Sequence, residues 1–288
     1  MKKYKPHIYL FVTIILWGSS FPIISYLLEI FSSAGLLLSR FIIPAMLAIS
    51  YVVLFKKNVN KTDVPKLFIT GLFGVFGFSY FINLGLEKMS VAAGSFIVNC
   101  NPLITTLIGV IFLKEKVKTH FWIGICVCTF GIFIISFENT ERYDFNFGTI
   151  YLLFAAIFIS IYFHLVKPLV VKYGTLTTFC YTIIFGTLPM LFWLNKTFYI
   201  FLDQSLDIKL SLLWLTLLST LIPYYTWTYA IGYFGANKAS FFLFLIPVIA
   251  IIIDFIVYSN YPNFLTICAG LIILGTILRI MFLNFKDE

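Results

Sequence analysis

Residues 80–116 read YFINLGLEKMSVAAGSFIVNCNPLITTLIGVIFLKEK, and this stretch decides the fold. It contains the end of one apolar segment, a short polar break and a second apolar segment with Pro102 at its centre. The same layout returns 145 residues later as YTWTYAIGYFGANKASFFLFLIPVIAIIIDFIVYSNY, where Pro247 takes the place of Pro102. Seven of the 33 residues at positions 80–112 are identical in the second copy. The chain therefore contains a duplicated unit with a proline-interrupted apolar segment in each copy.

The composition of the chain is that of an integral membrane protein. It is 61% hydrophobic and 11% charged, with a mean hydropathy of +1.00, whereas a soluble domain has about 25% charged residues. Apolar runs recur from end to end, each long enough to cross a hydrocarbon core of about 30 Å as a helix. No stretch between them is long enough for a soluble domain. We therefore predict an all-α integral membrane protein.

Ten membrane-spanning helices are predicted, five in each half of the chain. The halves are residues 1–137 and 147–288, separated by an external polar loop at 138–146. The predicted spans lie at about 8–28, 34–55, 66–86, 91–113, 120–137, 147–166, 175–194, 210–231, 237–257 and 263–283.

The distribution of basic residues predicts that both termini are cytoplasmic. With that orientation fifteen of the twenty Lys and Arg residues lie on the inner side, and four, Lys88, Arg142, Lys196 and Lys209, lie on the outer side. This bias follows the positive-inside rule. It also explains the net charge of +8 without nucleic acid as a partner, because anionic lipid of the bilayer attracts the basic loops.

Five helices in each half also predict the relation between the halves. An odd number makes the second half enter the membrane from the opposite side, so the repeats are inverted. Inverted repeats with a broken helix in each copy are typical of transporters that open alternately to the two sides.

Enzymatic and metal-binding motifs are missing from the sequence. It has no G-x-x-x-x-G-K-[ST] phosphate loop and no H-E-x-x-H. The five cysteines lie inside apolar spans without the convergent partners that a metal site needs. No cofactor or metal is therefore expected.

Several short motifs resemble those of a known family. They are Trp17-Gly18-Ser19-Ser20-Phe21, Arg40-Phe41, the Pro102 helix ending in Phe112-Leu113-Lys114-Glu115, and Trp122-Ile123-Gly124 with Gly131. With the ten-helix pattern they resemble the drug/metabolite transporter superfamily, specifically its EamA-type branch. The second half departs from that pattern, because Tyr258-Ser259-Asn260-Tyr261 lacks the usual acidic residue and Cys268 stands in the place of Gly124. The resemblance implies a transporter of small organic metabolites, often an exporter of amino acids, in the bacterial inner membrane.

The two prolines mark the expected substrate site. Pro102 frees a backbone carbonyl one turn back, and Asn99 and Asn101 add polar groups at about mid-membrane. Pro247 is preceded only by apolar residues, so the predicted cavity is lopsided. Helix–helix hydrogen bonding is the alternative role of these amides.

Aromatic and amide side chains near the prolines are expected to line the cavity. The candidates are Trp17, Tyr80, Asn83, Tyr162, Tyr224, Tyr225 and Trp227. With so few charges this lining favours a neutral or zwitterionic substrate. A phosphorylated substrate would need paired basic residues, whereas Arg40 stands alone.

Three ionisable residues lie within the predicted spans and are candidates for gating or coupling: Arg40, His164 and Asp254. Such residues are costly in hydrocarbon and often mark functional sites. Arg40 and Asp254 lie close enough to a helix end for the alternative, in which the charge reaches water. For Arg40 a structural hydrogen bond is a further alternative. His164 has an unperturbed pKa of about 6.5 and is suited to a proton-linked role, or it is a satisfied interfacial histidine.

The sequence thus predicts a secondary transporter, an exporter or exchanger of a small neutral or zwitterionic metabolite such as an amino acid. One alternative is an importer or exchanger of a nucleotide-like metabolite in the same fold. Others are a lipid-modifying enzyme that uses His164 or Asp254 and a membrane subunit that does not transport. The protein is expected as a monomer or a homodimer.

Overall fold

The computed structural model describes residues 4–114, 147–194 and 204–286, together with positions 122–124, 126, 127, 130, 131 and 134. The predicted fifth span and the inter-repeat loop therefore lie largely outside the described residues, although those single positions are helical. The helices of the first half are α1 Lys5–Leu28, α2 Ser33–Leu54, α3 Lys61–Leu86, α4 Val91–Val98 and α5 Asn101–Leu113.

The described part of the second half is also built from helices. Its helices are α6 Gly148–Tyr173, α7 Thr175–Thr187, α8 Leu206–Phe234, α9 Ala236–Phe241, α10 Ile246–Tyr258 and α11 Phe264–Lys286. The 3-10 segment Leu188–Trp193 extends α7, and the 3-10 segment Phe242–Leu245 joins α9 to α10.

Seven helical segments among the described residues are long and apolar enough to cross a membrane, with α4 and α5 counted together as one interrupted segment, and two shorter apolar helices follow them. The prediction of an all-α membrane protein is confirmed. α6 continues through Pro168 to Tyr173, beyond its predicted end, and stops where Gly174 adopts a φ of 78°. α8 begins at Leu206, before its predicted start.

Both interrupted segments break at their prolines. α4 ends at Val98, and after the turn at Asn99 and Cys100 the next helix begins at Asn101. α5 and α10 are each 13 residues long, and they begin 145 residues apart. Each ends at a residue in the left-handed region, Lys114 with φ 56° and Ser259 with φ 57°. The duplication seen in the sequence is therefore also a duplication of local geometry.

A second recurring feature is a widened helical turn in the third span of each half. α3 contains the π-helical segment Leu72–Gly77, and α8 contains the π-helical segment Trp214–Leu221. π-helical turns are rare and are common at functional sites. The hydrophobic pattern did not predict either of them.

Small residues allow α3 to pack closely against the second half. A Cβ atom at Gly74 would lie 2.1 Å from the ring of Tyr162 on α6. At Gly71 it would lie 2.5 Å from the carbonyl oxygen of Thr182 on α7. Because lipid-facing helices gain little from burying apolar surface, such close contacts supply much of the association energy.

Helices of the two halves pack against each other throughout the core. α1 contacts α8 and α10, α2 contacts α7 and α8, and α3 contacts α6 and α7. We call the face of the bundle at which α1 begins the near face, and the face at which α1 ends the far face. On the near face Asp63 bonds Lys172 over 2.5 Å, and on the far face Tyr26 donates to Asp207 over 2.8 Å.

Candidate functional site

A small cavity lies in the middle of the bundle, between α1, α2, α3 and the break that precedes α5. Its volume is about 20 Å³, which is room for about one water molecule. Most of its lining is apolar, and the exceptions are Ser20, Arg40, Asn99, Asn101 and the indole of Trp17. The second half contributes Ile159, Leu243 and Ile246, so the amides lie on one side of the cavity only.

Arg40 brings the charge to this cavity, and its side chain is only 5% exposed. Its Nε donates to Thr220 Oγ1 over 2.6 Å, and its Nη2 donates to the carbonyl oxygen of Ser219 over 3.0 Å. The guanidinium carbon lies 5.3 Å from the ring centroid of Phe41. Arg40 forms no ion pair with any carboxylate in the part of the chain that the structure describes. A guanidinium has five N–H donors, so several of them are left for a ligand.

Both groups that hold Arg40 belong to the π-helical segment of α8. Thr220 Oγ1 donates to the carbonyl oxygen of Leu215, five residues back, over 2.8 Å while it accepts from Arg40. The widened turn thereby presents a hydroxyl and a backbone carbonyl to the same guanidinium. The arginine is held in the interior by these bonds, and its charge is not carried to the membrane surface.

The two asparagines at the break have different roles. Asn99 Nδ2 donates to the carbonyl oxygen of Ser95 over 2.8 Å and so completes the last turn of α4. Asn101 is 2% exposed, and its Oδ1 accepts no hydrogen bond from the described residues. The backbone carbonyl of Asn101 accepts from Ser160 Oγ on α6 over 3.1 Å. A buried acceptor without a partner is costly, so Asn101 Oδ1 is suited to a donor on a ligand.

Trp17 forms an aromatic wall of the cavity. Its ring lies 5.6 Å from Tyr224 and 5.5 Å from Trp227, and its Nε1 donates to no described residue. Tyr162, Tyr224 and Trp227 are fully buried behind this wall. Tyr224 OH donates to the carbonyl oxygen of Gly74 in the π-helical segment of α3 over 2.9 Å. Tyr162 OH is 3.3 Å from Thr228 Oγ1.

Three other candidates lie outside the cavity lining. Tyr80 stacks on Phe76 and Trp193. Asn83 Nδ2 donates to the carbonyl oxygen of Ser33 over 3.0 Å, at the start of α2. Tyr225 packs with Tyr9 and Phe179.

The prolines act through the helices they begin. Pro102 and Pro247 each stand in the first turn of their helix, α5 and α10, where a missing N–H costs nothing. They fix the break without lining the cavity themselves.

The remaining ionisable candidates do not meet at one site. His164 Nε2 bonds the carbonyl oxygen of Thr105 over 2.9 Å on α5, whereas Asp254 lines a different cavity at the far face. Among the described residues no three His, Cys, Asp or Glu side chains are grouped as metal ligands. The structure therefore does not bring His164 and Asp254 together for catalysis.

Sequence reasoning missed several residues that shape the cavity, notably Phe78, Ile82 and Ile159. It also missed Ser219 and Thr220. A signal for these two was present, because they form a polar pair inside an apolar span just before Pro223.

Comparisons with known proteins agree with this architecture. The EamA-like transporter family matches residues 5–137 and again residues 146–282. An uncharacterized transporter of Bacillus subtilis is 29% identical over 90% of this chain and 85% of its own length.

Other relatives carry more specific names. A probable terminal-alkyne amino-acid exporter of Streptantibioticus cattleyicolor is 26% identical over 91% of this chain and 88% of its own. An S-adenosylmethionine uptake transporter of Rickettsia bellii is 25% identical over 86% of this chain and 83% of its own.

One solved crystal structure has the same fold. It superposes with a TM-score of 0.67 at 14% sequence identity, over 97% of this chain and 96% of that one. With the family match covering both halves and the broken helices present in each, this multi-pass membrane protein belongs to the EamA-like transporter family.

Proposed function

We propose that this protein is a secondary transporter of a small zwitterionic metabolite, such as an amino acid or a derivative, in the bacterial inner membrane. The observation that carries the proposal is the buried guanidinium of Arg40, which has no carboxylate partner among the described residues. Arg40 lines the same cavity as Asn101, whose Oδ1 accepts no hydrogen bond from those residues. A buried charge without a counterion is strongly unfavourable. The carboxylate of a substrate supplies that counterion.

The other cavity groups fit the remainder of such a molecule. The unpartnered Asn101 Oδ1 accepts a hydrogen bond from the substrate's ammonium group, and Asn99 keeps the break in shape. The indole N–H of Trp17 is a further donor, and the apolar lining accommodates a side chain. A phosphorylated substrate is a poorer fit because Arg40 is the single cationic side chain in this lining.

Alternating access is the mechanism we propose. Residues 1–137 and 147–288 act as inverted five-helix repeats around the cavity, with the 138–146 loop outside the cell and both termini in the cytoplasm. The cavity holds only about one water molecule in this structure, so substrate binding requires the repeats to move apart. The recurring breaks and π-helical segments provide equivalent points at which each repeat can bend.

The names of two relatives support the substrate class. One is named for export of a terminal-alkyne amino acid, and the other for uptake of S-adenosylmethionine. Both named compounds carry an amino group and a carboxylate. The first name supports export as the direction of transport, and the second name supports import.

The test is counterflow by the purified chain in proteoliposomes without ATP. The vesicles contain a mixture of unlabelled amino acids, and the medium contains the same mixture carrying ¹⁴C, with labelled S-adenosylmethionine as a separate arm. Label is expected to accumulate inside the vesicles. The methyl ester of an amino acid lacks the free carboxylate, so it is expected not to inhibit counterflow of the labelled amino acids. Absence of counterflow for the whole panel, or a strict requirement for ATP, contradicts the proposal.

Arg40 provides the matched variants. Arg40→Met keeps an unbranched side chain but removes the guanidinium and its charge, so counterflow is expected to fall by at least about tenfold. Arg40→Lys retains the positive charge but lacks the planar N–H donors of the guanidinium, so it should recover part of the transport activity. Arg279→Met, at an exposed position on α11, is the control and should behave as wild type. Wild-type counterflow by Arg40→Met would contradict the role given to Arg40.

A further inference from the structure

A second cavity opens near the far face of the bundle. Its volume is about 270 Å³, close to the lower limit of pockets that hold small molecules. Ser25 of α1, Ser90 at the start of α4, Asp254 of α10 and Asn260 contribute its polar groups. We call it the outer cavity.

Asp254 is the charged group of the outer cavity. It is only 8% exposed, and Asn260 Nδ2 donates to its Oδ1 over 3.2 Å. It forms no ion pair with any cationic side chain that the structure describes. A carboxylate has about four acceptor positions, so one amide bond leaves most of its capacity open. Because a buried carboxylate with one neutral partner is costly, this group is suited to a cation that arrives from outside the protein.

The outer cavity and the Arg40 cavity share their walls. On α1, Ile24 lines the Arg40 cavity and Ser25 lines the outer cavity. On α4 the corresponding residues are Val98 and Val91, and on α10 they are Ile246 and Asp254. The two cavities therefore lie one above the other between the same three helices.

The two cavities are separated along α10. Ile246 and Asp254 are eight residues apart on α10, which corresponds to a rise of about 12 Å. The ammonium and carboxylate groups of an α-amino acid are bonded to the same carbon atom, so the two groups of one such molecule do not span a rise of this size.

We propose that the outer cavity is a separate recognition site for the ammonium group of the substrate, on the path between the far face and the Arg40 cavity. The inference rests on the proposed transport of a zwitterion. Asp254 binds the ammonium through charge-assisted hydrogen bonds. Ser25, Ser90 and Asn260 surround it with further polar groups. Molecules without a positive charge, such as N-acetylated amino acids, are disfavoured at this point.

The experiment compares transport from the two faces. Asp254→Asn keeps the shape of the side chain and removes its charge. In sealed vesicles of both orientations, the KM for an amino acid found active in counterflow is expected to rise at least about tenfold from the far face. From the near face KM should stay within twofold, and Asp254→Glu should restore most of the far-face affinity. Asp207→Asn, an exposed far-face variant, is the matched control.

The outcomes separate this inference from the proposed function. If wild-type protein moves no amino acid, the proposed function fails. If the wild type transports and Arg40→Met does not, but Asp254→Asn keeps its far-face KM, only the outer recognition site is refuted. An equal rise in KM from both faces, together with a lower melting temperature, assigns Asp254 a structural role and also overturns the inference.

Discussion

Arg40 Nε donates a hydrogen bond of 2.6 Å to Thr220 Oγ1, and the two residues are 180 positions apart in the chain. The bond joins α2 to α8. Thr220 lies in the π-helical segment of α8, so the charge of the first half is oriented by an irregular turn of the second half. A movement of one repeat against the other must either carry this contact along or break it.

Replacement of Thr220 tests whether this contact positions Arg40. Thr220→Val removes the acceptor of Arg40 Nε and keeps the β-branched shape. We expect the KM for substrate to rise about three- to tenfold with a small change in melting temperature, because one hydrogen bond to a charged group is lost. Counterflow kinetics and thermal unfolding in detergent provide the two readouts.

The controls for that variant are available in the chain. Thr220→Ser keeps the hydroxyl and should restore the KM. Among the described residues Thr276 bonds only the carbonyl oxygen of Ile272 in its own helix, so Thr276→Val should leave transport unchanged. A Thr220→Val protein with wild-type KM would show that Ser219 alone holds the guanidinium.

Tyr224 is expected to stabilise the π-helical segment of α3. Tyr224→Phe removes the hydrogen bond to the carbonyl oxygen of Gly74 and leaves the aromatic contacts in place. Hydrogen bonds between membrane helices contribute about 0.6 kcal/mol on average, so a modest loss of unfolding free energy is expected. Tyr233→Phe, at a side chain that is 61% exposed, should match the wild type. Equal stability of the two variants would contradict the prediction.

Close packing at Gly74 predicts a larger effect. In Gly74→Ala the new methyl group would lie 2.1 Å from the buried ring of Tyr162, and overpacking of this kind costs about 1–3 kcal/mol. The melting temperature in detergent is expected to fall. Apart from its own helical backbone, no described residue places an atom within 4 Å of a Cβ added at Gly275 on α11, so Gly275→Ala should be neutral or slightly stabilising. If Gly74→Ala has the same melting temperature as Gly275→Ala, the contact between α3 and α6 is looser than the structure shows.

The proposed orientation is tested by cysteine labelling in a variant whose native cysteines are replaced by alanine. Tyr4→Cys and Lys57→Cys lie on the near face, and Lys88→Cys and Tyr261→Cys lie on the far face. A membrane-impermeant maleimide should label the far-face positions in intact cells and the near-face positions only after permeabilisation. This outcome is expected because basic loops remain in the cytoplasm. Labelling of the near-face positions in intact cells, with the far-face positions protected, would contradict the proposed orientation.

The broken helices were predictable because their cause is local. A proline inside an apolar span removes a backbone donor, and the chain shows this at Pro102 and Pro247. Membrane insertion was predictable for a similar reason, since the length and hydropathy of a segment decide whether it crosses the bilayer. The lopsided polarity of the cavity also follows from the residues beside each proline.

The partners of those residues required the tertiary structure. The sequence singled out Asn99 and Asn101 equally, yet Asn99 Nδ2 donates to its own helix at Ser95, whereas Asn101 Oδ1 is buried and accepts no hydrogen bond from the described residues. Tyr80 and Tyr225 matched the expected aromatic pattern but pack away from the cavity. Side-chain direction around a break depends on which helix lies opposite, and no local pattern contains that information.

By itself the sequence determined that this chain is a membrane protein of duplicated helical units with a proline break in each, because hydropathy and backbone restrictions act over a few neighbouring residues. Only the tertiary structure decided that Arg40 stays inside the bundle, bound to Ser219 and Thr220. The physical reason is that the partners of a buried charge come from distant parts of the chain, and packing of the two halves alone brings them within hydrogen-bonding distance.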